Sequence, residues 1–244
     1  MAITLCVDIG ATSIKAAPVT DDGVLMSAIR SLKTQAPLRP AELVKRITTL
    51  AASFEDVSRV AVGFPGGIEA GLVTDPSNLA RNKDGHNEAS VVEAWKQVDL
   101  NSLLSQALAQ PIATANDADV AALGACDGVG LEVTITLGTG VGCGCTLDGE
   151  LLIHREIHDF VNQPTIRYDG LLGTKALLAM GEQYWSQDVA QLLAKVVEIH
   201  HPDKIHLAGG NAPRLDRRLL HPWEETVWVH REPVGILGGA ALFS

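Results

Sequence analysis

Two stretches of this chain share one design, and that repetition limits what it can fold into more than any other feature. "ITLCVDIGATSIKAAPVT" at residues 3–20 runs strand formers into a glycine–threonine turn and back into strand formers, and "VTITLGTGVGCGCTLDGELL" at 133–152 does the same. Gly138-Thr139 answers to Ala11-Thr12, and "LDGEL" answers to "DDGVL". A whole supersecondary unit that recurs within one chain predicts a duplicated α/β architecture whose two halves face each other.

The pattern between the repeats alternates between period two and helical period. Residues 3–31 read as a meander whose third strand is "VLMSAIRS", entered through the turn "DDG". Residues 40–53 carry apolar side chains at helical spacing behind Pro40, which suits a first helical turn. "RVAVGF" reads as a short buried strand, and "PGGIEAGLVTDPSNLARNKDG" as a long loop of the kind that usually has a task. A helix over about 99–109, the strand "PIATAND", the helix "ADVAALGA" and a helical run from Thr174 complete the reading. The expected domains are 1–113 and 114–244, with a last helix that could pack back on the first.

Composition excludes several classes. With 46% hydrophobic and 20% charged residues the chain can bury a sizeable core and is not disordered. Its 29 acidic and 19 basic residues give a net charge of -10, a field that repels nucleic acid and anionic membranes. No leader pattern opens the sequence and no apolar run approaches a membrane span, so a cytoplasmic protein is expected. The four cysteines lack the spacing of a zinc site and read as reduced structural thiols, and His200-His201 has no third ligand nearby.

The turns of the two repeats have a chemistry of their own. Glycines let backbone N–H groups approach an anion and threonine adds a hydroxyl donor, so each turn can act as a nest for phosphate oxygens as well as a plain glycine-rich turn. Asp8, at a strand end, is placed to hold a magnesium ion through water. There is no GxxxxGK[ST], and "GTGVGCG" leads into strand-like residues where a dinucleotide loop would lead into a helix. In "TANDADVAAL", Asn116 and Asp117 end a strand and begin a helix. Asp117 there can be a helix cap or a general base for a hydroxyl that attacks phosphorus.

Taken in order, "VDIGATSIK", "VGFPGGIEAGLV", "NDADVAAL", "TLGTGVG", "PDKIHLAGGN" and "PVGILGGAAL" resemble the motifs of the ROK sugar kinases, and among them the bacterial polyphosphate glucokinases. The resemblance implies the two-domain fold of the actin-like ATPases, a ribonuclease H-like βββαβα unit used twice around a cleft. It implies phosphoryl transfer from ATP or polyphosphate to a hexose, foremost the 6-hydroxyl of glucose, in a homodimer, while the acidic charge argues against nucleic acid or membrane as a partner. By the same resemblance Asp117 is the base, Asp8 serves the magnesium ion, and Gly10, Thr12, Gly138, Thr139, Gly140, Gly209 and Gly210 face the phosphates, with Lys15 and Arg214 as further candidates for the donor. Gly66, Asn78, Asn116, Glu156 and His158 face the sugar.

Departures from the family pattern cluster around the sugar. Ala11 replaces a glycine of the first motif. In "HREIHDF" at 154–160, where the family has Glu-x-Gly-His, gapless matching puts His158 on the glycine, and a one-residue slip restores it. The tryptophan usual after Asn78-Leu79, the asparagine before the glycine of "PVGILGG" and the zinc run of many ROK proteins are missing. Two readings follow: a sugar kinase with an altered sugar site, or a lapsed enzyme that serves as a ligand sensor or assembly partner. Retained Asp8 and Asp117 favour the kinase. For polyphosphate, Arg214, Arg217 and Arg218 offer a cationic track or a solvated face, with Arg81 and Lys83 as a second track.

Overall fold

The computed structural model describes residues 2–82 and 84–244, so Lys83 lies outside the described residues. The chain divides into two compact units, residues 1–120 with 235–244 and residues 121–234.

Unit 1 is built on strands β1 (Ile3–Ile9), β2 (Ser13–Thr20), β3 (Arg30–Lys33), β4 (Arg59–Phe64) and β7 (Ile112–Asn116), in the order β3-β2-β1-β4-β7. β1 runs antiparallel to β2 and parallel to β4, and β4 runs parallel to β7. Period-two alternation gives this sheet two apolar faces. Leu5, Val7, Ile14, Val60 and Val62 pack on Leu43, Ile47, Leu100 and Leu104 of helices α1 (Pro40–Ala51) and α3 (Leu100–Leu108). On the other face Cys6, Ala17 and Ala61 pack on Ile236 and Ala240 of the C-terminal segment, in α8 (Val234–Leu237) and the 3-10 helix Gly238–Phe243. Burial pushes the Cys6 thiol up to about 12 against the opposing charge of Arg59, as befits a packing residue.

Unit 2 repeats this topology. Its sheet runs β10-β9-β8-β11-β12, from β8 (Leu131–Leu137), β9 (Val141–Leu147), β10 (Glu150–Leu151), β11 (Lys204–Ala208) and β12 (Val227–Val229). β8 is antiparallel to β9 and parallel to β11, and β11 is parallel to β12, strand for strand as in unit 1. Asp148 and Gly149, both at positive φ, make the tight turn that the Asp-Gly pair predicts. One face packs on Trp185, Val189, Leu192 and Val196 of α7 (Thr174–His200), a helix interrupted at Gly181, whose φ is 81°. The other meets Ala121 and Ala125 of α4 (Asp117–Ala125).

Three expectations need correction. The third strand of the meander is not 24–31: Val19 bridges Leu25 alone, Val24 and Met26 stay 56% and 52% exposed, and pairing resumes at Arg30. Pro18 accepts a bond from the Met26 N–H and has no N–H to return, which stops the ladder there. The stretch from Pro65 is no plain loop. It contains the hairpin β5 (Gly67–Glu69) and β6 (Leu72–Asp75) and a 3-10 turn at Ser77–Ala80, followed by the short α2 (Ala89–Trp95). Finally, β7 pairs with β4, which carries residues 114–120 into unit 1 and moves the division beyond 113.

Candidate active site

The parallel strands of unit 1 end in a row of small and acidic residues. Asp8 of β1 stands opposite Gly63 of β4, and Gly63 opposite Ala115 of β7. Register neighbours on parallel strands share a face, so Asp8 and the missing side chain of Gly63 point the same way. A Cβ on Gly63 would lie 3.3 Å from the Asp117 Cα and 3.6 Å from its Cβ, so the absent side chain gives α4 room to begin there. Asp8 and the start of α4 at Asp117 thus lie on one face of the sheet, at the carboxyl ends of the strands, where open α/β sheets place their ligands. Gly235 of α8 faces Asp8 in turn, with its own Cβ position 3.8 Å from the Asp8 Cγ.

Burial pushes the Asp8 carboxyl above the ordinary carboxylate range, and the Lys15 ammonium, opposite it in the hairpin register, draws it partly back. A carboxylate so placed gains from a second cation. Among the described residues no three histidine, cysteine or acidic side chains converge as a metal cage. The donor set fits magnesium, which takes one or two carboxylates and completes its octahedron with water and substrate phosphate. Asp8 would supply that carboxylate.

Asn116 is held at both ends of its amide. Its Oδ1 accepts from the Ala118 N–H at 2.8 Å, capping α4, while its Nδ2 donates to the Gly66 carbonyl at 3.1 Å and fastens the loop after β4. At Gly66 a side chain would strike the Asp75 carbonyl at 2.3 Å. Asn78, in the 3-10 turn, accepts from the Arg81 guanidinium at 2.9 Å, which occupies that arginine.

The first hairpin turns at Gly10–Thr12, where the Gly10 N–H bonds the Ser13 carbonyl at 3.0 Å. Ala11 has negative φ, which accommodates its β-carbon in place of glycine. Thr34 holds the hairpin from outside: its hydroxyl donates to the Gly10 carbonyl at 2.6 Å and its N–H to the Thr12 carbonyl at 3.0 Å. The second hairpin is held alike. Thr174 gives its hydroxyl and its N–H to the Gly138 carbonyl at 2.8 and 2.9 Å, and Asn211 adds its amide at 2.9 Å. Tying carbonyls back leaves fewer free acceptors at each turn, and Thr12 and Thr139 stand exposed at the two tips. Thr34, Thr174 and Asn211 escaped the sequence reading; Asn211 closes the quoted "AGGN", and the two threonines lie outside any motif.

Glycines in unit 2 divide by cause. Gly209 is at φ 89°, with the Leu137 carbonyl 2.5 Å from where its side chain would be, so the backbone requires it. Gly138 and Gly210 have negative φ and open space around the Cβ position. Gly140 lies against the Asp169 carboxylate, which accepts from the Val141 N–H at 2.8 Å.

The arginine track is weaker than its sequence suggests. Arg214 donates to Glu182 at 2.8 Å, and Arg218 is bound bidentately by Asp216 at 2.9 and 2.6 Å, so two of the three charges are already answered. Arg217 is exposed. Glu156 stands at the N-cap position of α5 (Ile157–Phe160) without a side-chain capping bond, and the His154 imidazole 3.8 Å away holds its carboxyl below the usual range. His158 lies one residue inside α5, 3.6 Å from Asp159.

Two sheets of one topology, each opening on a glycine–threonine hairpin, have the duplicated α/β fold of the actin-like ATPases. The ROK family pattern matches residues 4–156, and the chain belongs to the ROK family. A polyphosphate glucokinase of Mycobacterium leprae (strain TN) is 27% identical over 219 residues, 86% of this chain and 64% of that protein, so the chain spans less than two thirds of that relative's length. An inorganic polyphosphate/ATP-glucomannokinase from Arthrobacter sp. strain KM superimposes with a TM-score of 0.80 at 24% identity, over 99% of this chain and 98% of the other. A ROK family glucokinase from Streptomyces griseus, solved with glucose and AMPPNP, gives 0.66 at 20% identity over 99% of both. No described helix is long and apolar enough to cross a membrane.

Proposed function

We propose that this protein is a sugar kinase that moves a phosphoryl group from polyphosphate or ATP to a hexose, with the 6-hydroxyl of glucose as the foremost acceptor. The observation that carries the reading is that Asp8 and Asp117 both neighbour the bare Gly63 on one face of the sheet. Asp117 takes the proton of the attacking hydroxyl, and Asp8 holds magnesium, which neutralises charge on the transferred group when bound. Gly10, Thr12 and Lys15 of unit 1 and Gly138, Thr139, Gly140, Gly209 and Gly210 of unit 2 grip the donor's phosphates through backbone N–H groups, hydroxyls and the lysine charge. Open space over Gly138 and Gly210 supports this, since glycine there answers to no contact within the chain. Gly66, Asn78, Asn116, Glu156 and His158 address the sugar.

Names of the relatives support the same chemistry: one is called a polyphosphate glucokinase, another uses polyphosphate or ATP on glucose and mannose by its name. Arg214 and Arg217 are the cations left to meet a polyphosphate, the first after release from Glu182. We place the enzyme in the cytoplasm as a homodimer. The test is a sugar panel with magnesium and either ATP or polyphosphate, read by mass spectrometry, with Asp117→Ala beside the wild type. Sugar phosphate that vanishes in the variant supports the reading; binding of sugar without transfer under either donor would instead make the protein a sensor.

A further inference from the structure

α5 carries the segment that departs most from the family, and its anchor lies elsewhere in the chain. Three of its four carbonyls find local donors: Ile157 from the Val161 N–H, His158 from the Gln163 N–H at 2.7 Å, Asp159 from the Arg155 guanidinium at 2.8 Å. The fourth belongs to Phe160, at the helix C-terminus, where a carbonyl has no partner within its own helix. It accepts from the His200 Nε2 at 2.6 Å. The His200 imidazole also lies flat on the Phe160 ring, with centroids 3.7 Å apart and planes 14° from parallel. Arg155 stands 5.8 Å from the centroid of that ring.

A second tie joins the same two elements. Lys195 donates to the Gln163 side chain at 2.9 Å, and Tyr168 donates to it at 2.6 Å. Since the Gln163 N–H holds the His158 carbonyl, this tie too ends on the segment that bears Glu156 and His158. The other end is rigid, because α7 is fixed in the core by Leu192, Leu193 and Val196. A four-residue helix cannot hold its own orientation.

We infer that His200 is a positioning residue for the sugar segment: by hydrogen bond and ring stack it sets the angle at which α5 presents Glu156 and His158, and so tunes which hexose is bound. The inference rests on the sugar role given to those two residues above. The Nε2 must carry a proton to donate, and the stack needs a flat ring, so the two contributions separate by substitution. His200→Phe keeps the ring and loses the donor; His200→Gln keeps a donor near Nε2 and loses the stack.

The experiment titrates glucose and mannose into the full chain by calorimetry, for the wild type, both His200 variants, Glu156→Gln and His158→Ala, with magnesium polyphosphate as a second titrant. His200→Phe is expected to weaken sugar binding roughly fivefold to tenfold, as one lost hydrogen bond would, and to change the glucose-to-mannose ratio. His200→Gln should stay nearer the wild type, and polyphosphate affinity should hold in both. Sugar binding unchanged in His200→Phe but weakened in Glu156→Gln would overturn the positioning role and leave the sugar site standing. Equal losses for sugar and polyphosphate in His200→Phe would overturn it as general damage. A wild type that binds neither sugar, or full binding in both Glu156→Gln and His158→Ala, would overturn the sugar reading and this inference with it.

Discussion

Asp117 begins its helix against the bare backbone of Gly63, with 3.3 Å between the Asp117 Cα and the place a Gly63 side chain would take. That spacing is tighter than a carbon contact prefers, so Asp117 is positioned by what Gly63 lacks. Gly63→Ala should push the start of α4 back by a few tenths of an ångström. We expect about a tenfold loss in kcat, given how steeply positioning errors cost rate, and a stability loss of about 1 kcal/mol. Steady-state kinetics beside a thermal melt would separate the two; a variant with full kcat would show that Asp117 tolerates the shift.

Gly209 and Gly210 are neighbours with opposite expectations. Gly209→Ala meets the Leu137 carbonyl at 2.5 Å in a left-handed backbone and should lower stability by about 2 kcal/mol or more. Gly210→Ala and Gly138→Ala have open space and should melt like the wild type. If phosphates approach there, both should raise the donor KM several-fold. Unchanged donor kinetics in both would remove these glycines from the phosphate site.

Thr34 and Thr174 act as a matched pair, each giving hydroxyl and N–H to hairpin carbonyls. Thr34→Val and Thr174→Val keep shape and remove one donor each, at a cost of about 1 kcal/mol. Thr34→Val leaves the Gly10 carbonyl without its hydroxyl donor, whereas in Thr174→Val the Gly138 carbonyl keeps the Thr174 N–H and the Asn211 amide, so the effect should be larger at Thr34 if phosphates approach these turns. Expected is a higher donor KM with the sugar KM unchanged, read by initial rates with each substrate varied in turn.

Acid should loosen unit 2 through a buried cluster. Burial raises the Glu132 carboxyl, but N–H groups of Asp127, Gly128 and Val129 and the His206 imidazole at 2.8 Å outweigh it and hold the group low. His206 contacts His230 at 2.9 Å, and burial, then the charge of His206, lowers His230 below its ordinary 6.5 against the pull of Glu232 and Asp127. The unfolded chain therefore takes a proton on His230 near pH 6.5 while the folded one resists, so stability falls as pH drops below that value. The Glu132 contribution is present above its ordinary 4.5 and is lost only as pH falls through its lower folded value. Melting temperature should drop between pH 7 and pH 5, and His230→Gln should flatten that limb. An unaltered slope would assign the loss to other groups.

Much of the fold was legible because it rests on local patterns. The period-two runs of β1, β2, β4, β8 and β9, Pro40 at the start of α1, and the Asp148-Gly149 turn all follow from side-chain alternation and backbone preference within a few residues. Their duplication announced the matching sheets. Where the sequence misled, the cause was a missing partner: "VLMSAIRS" has strand composition, but Pro18 opposite it cannot return a hydrogen bond. The arginines after Gly210 read as a free cationic face until Glu182 and Asp216, the first far off in the chain, were found beside two of them.

The sequence by itself singled out candidate residues: Asp8, Asp117 and the two glycine–threonine turns are chemically conspicuous wherever they fall. Tertiary structure alone decided which of them meet and what holds them. Gly63 matters because two parallel strands and a helix converge on it. Thr34, Thr174, Asn211 and His200 matter because each reaches a backbone carbonyl distant in sequence. Contacts of that kind depend on where the chain returns, and no local pattern records it.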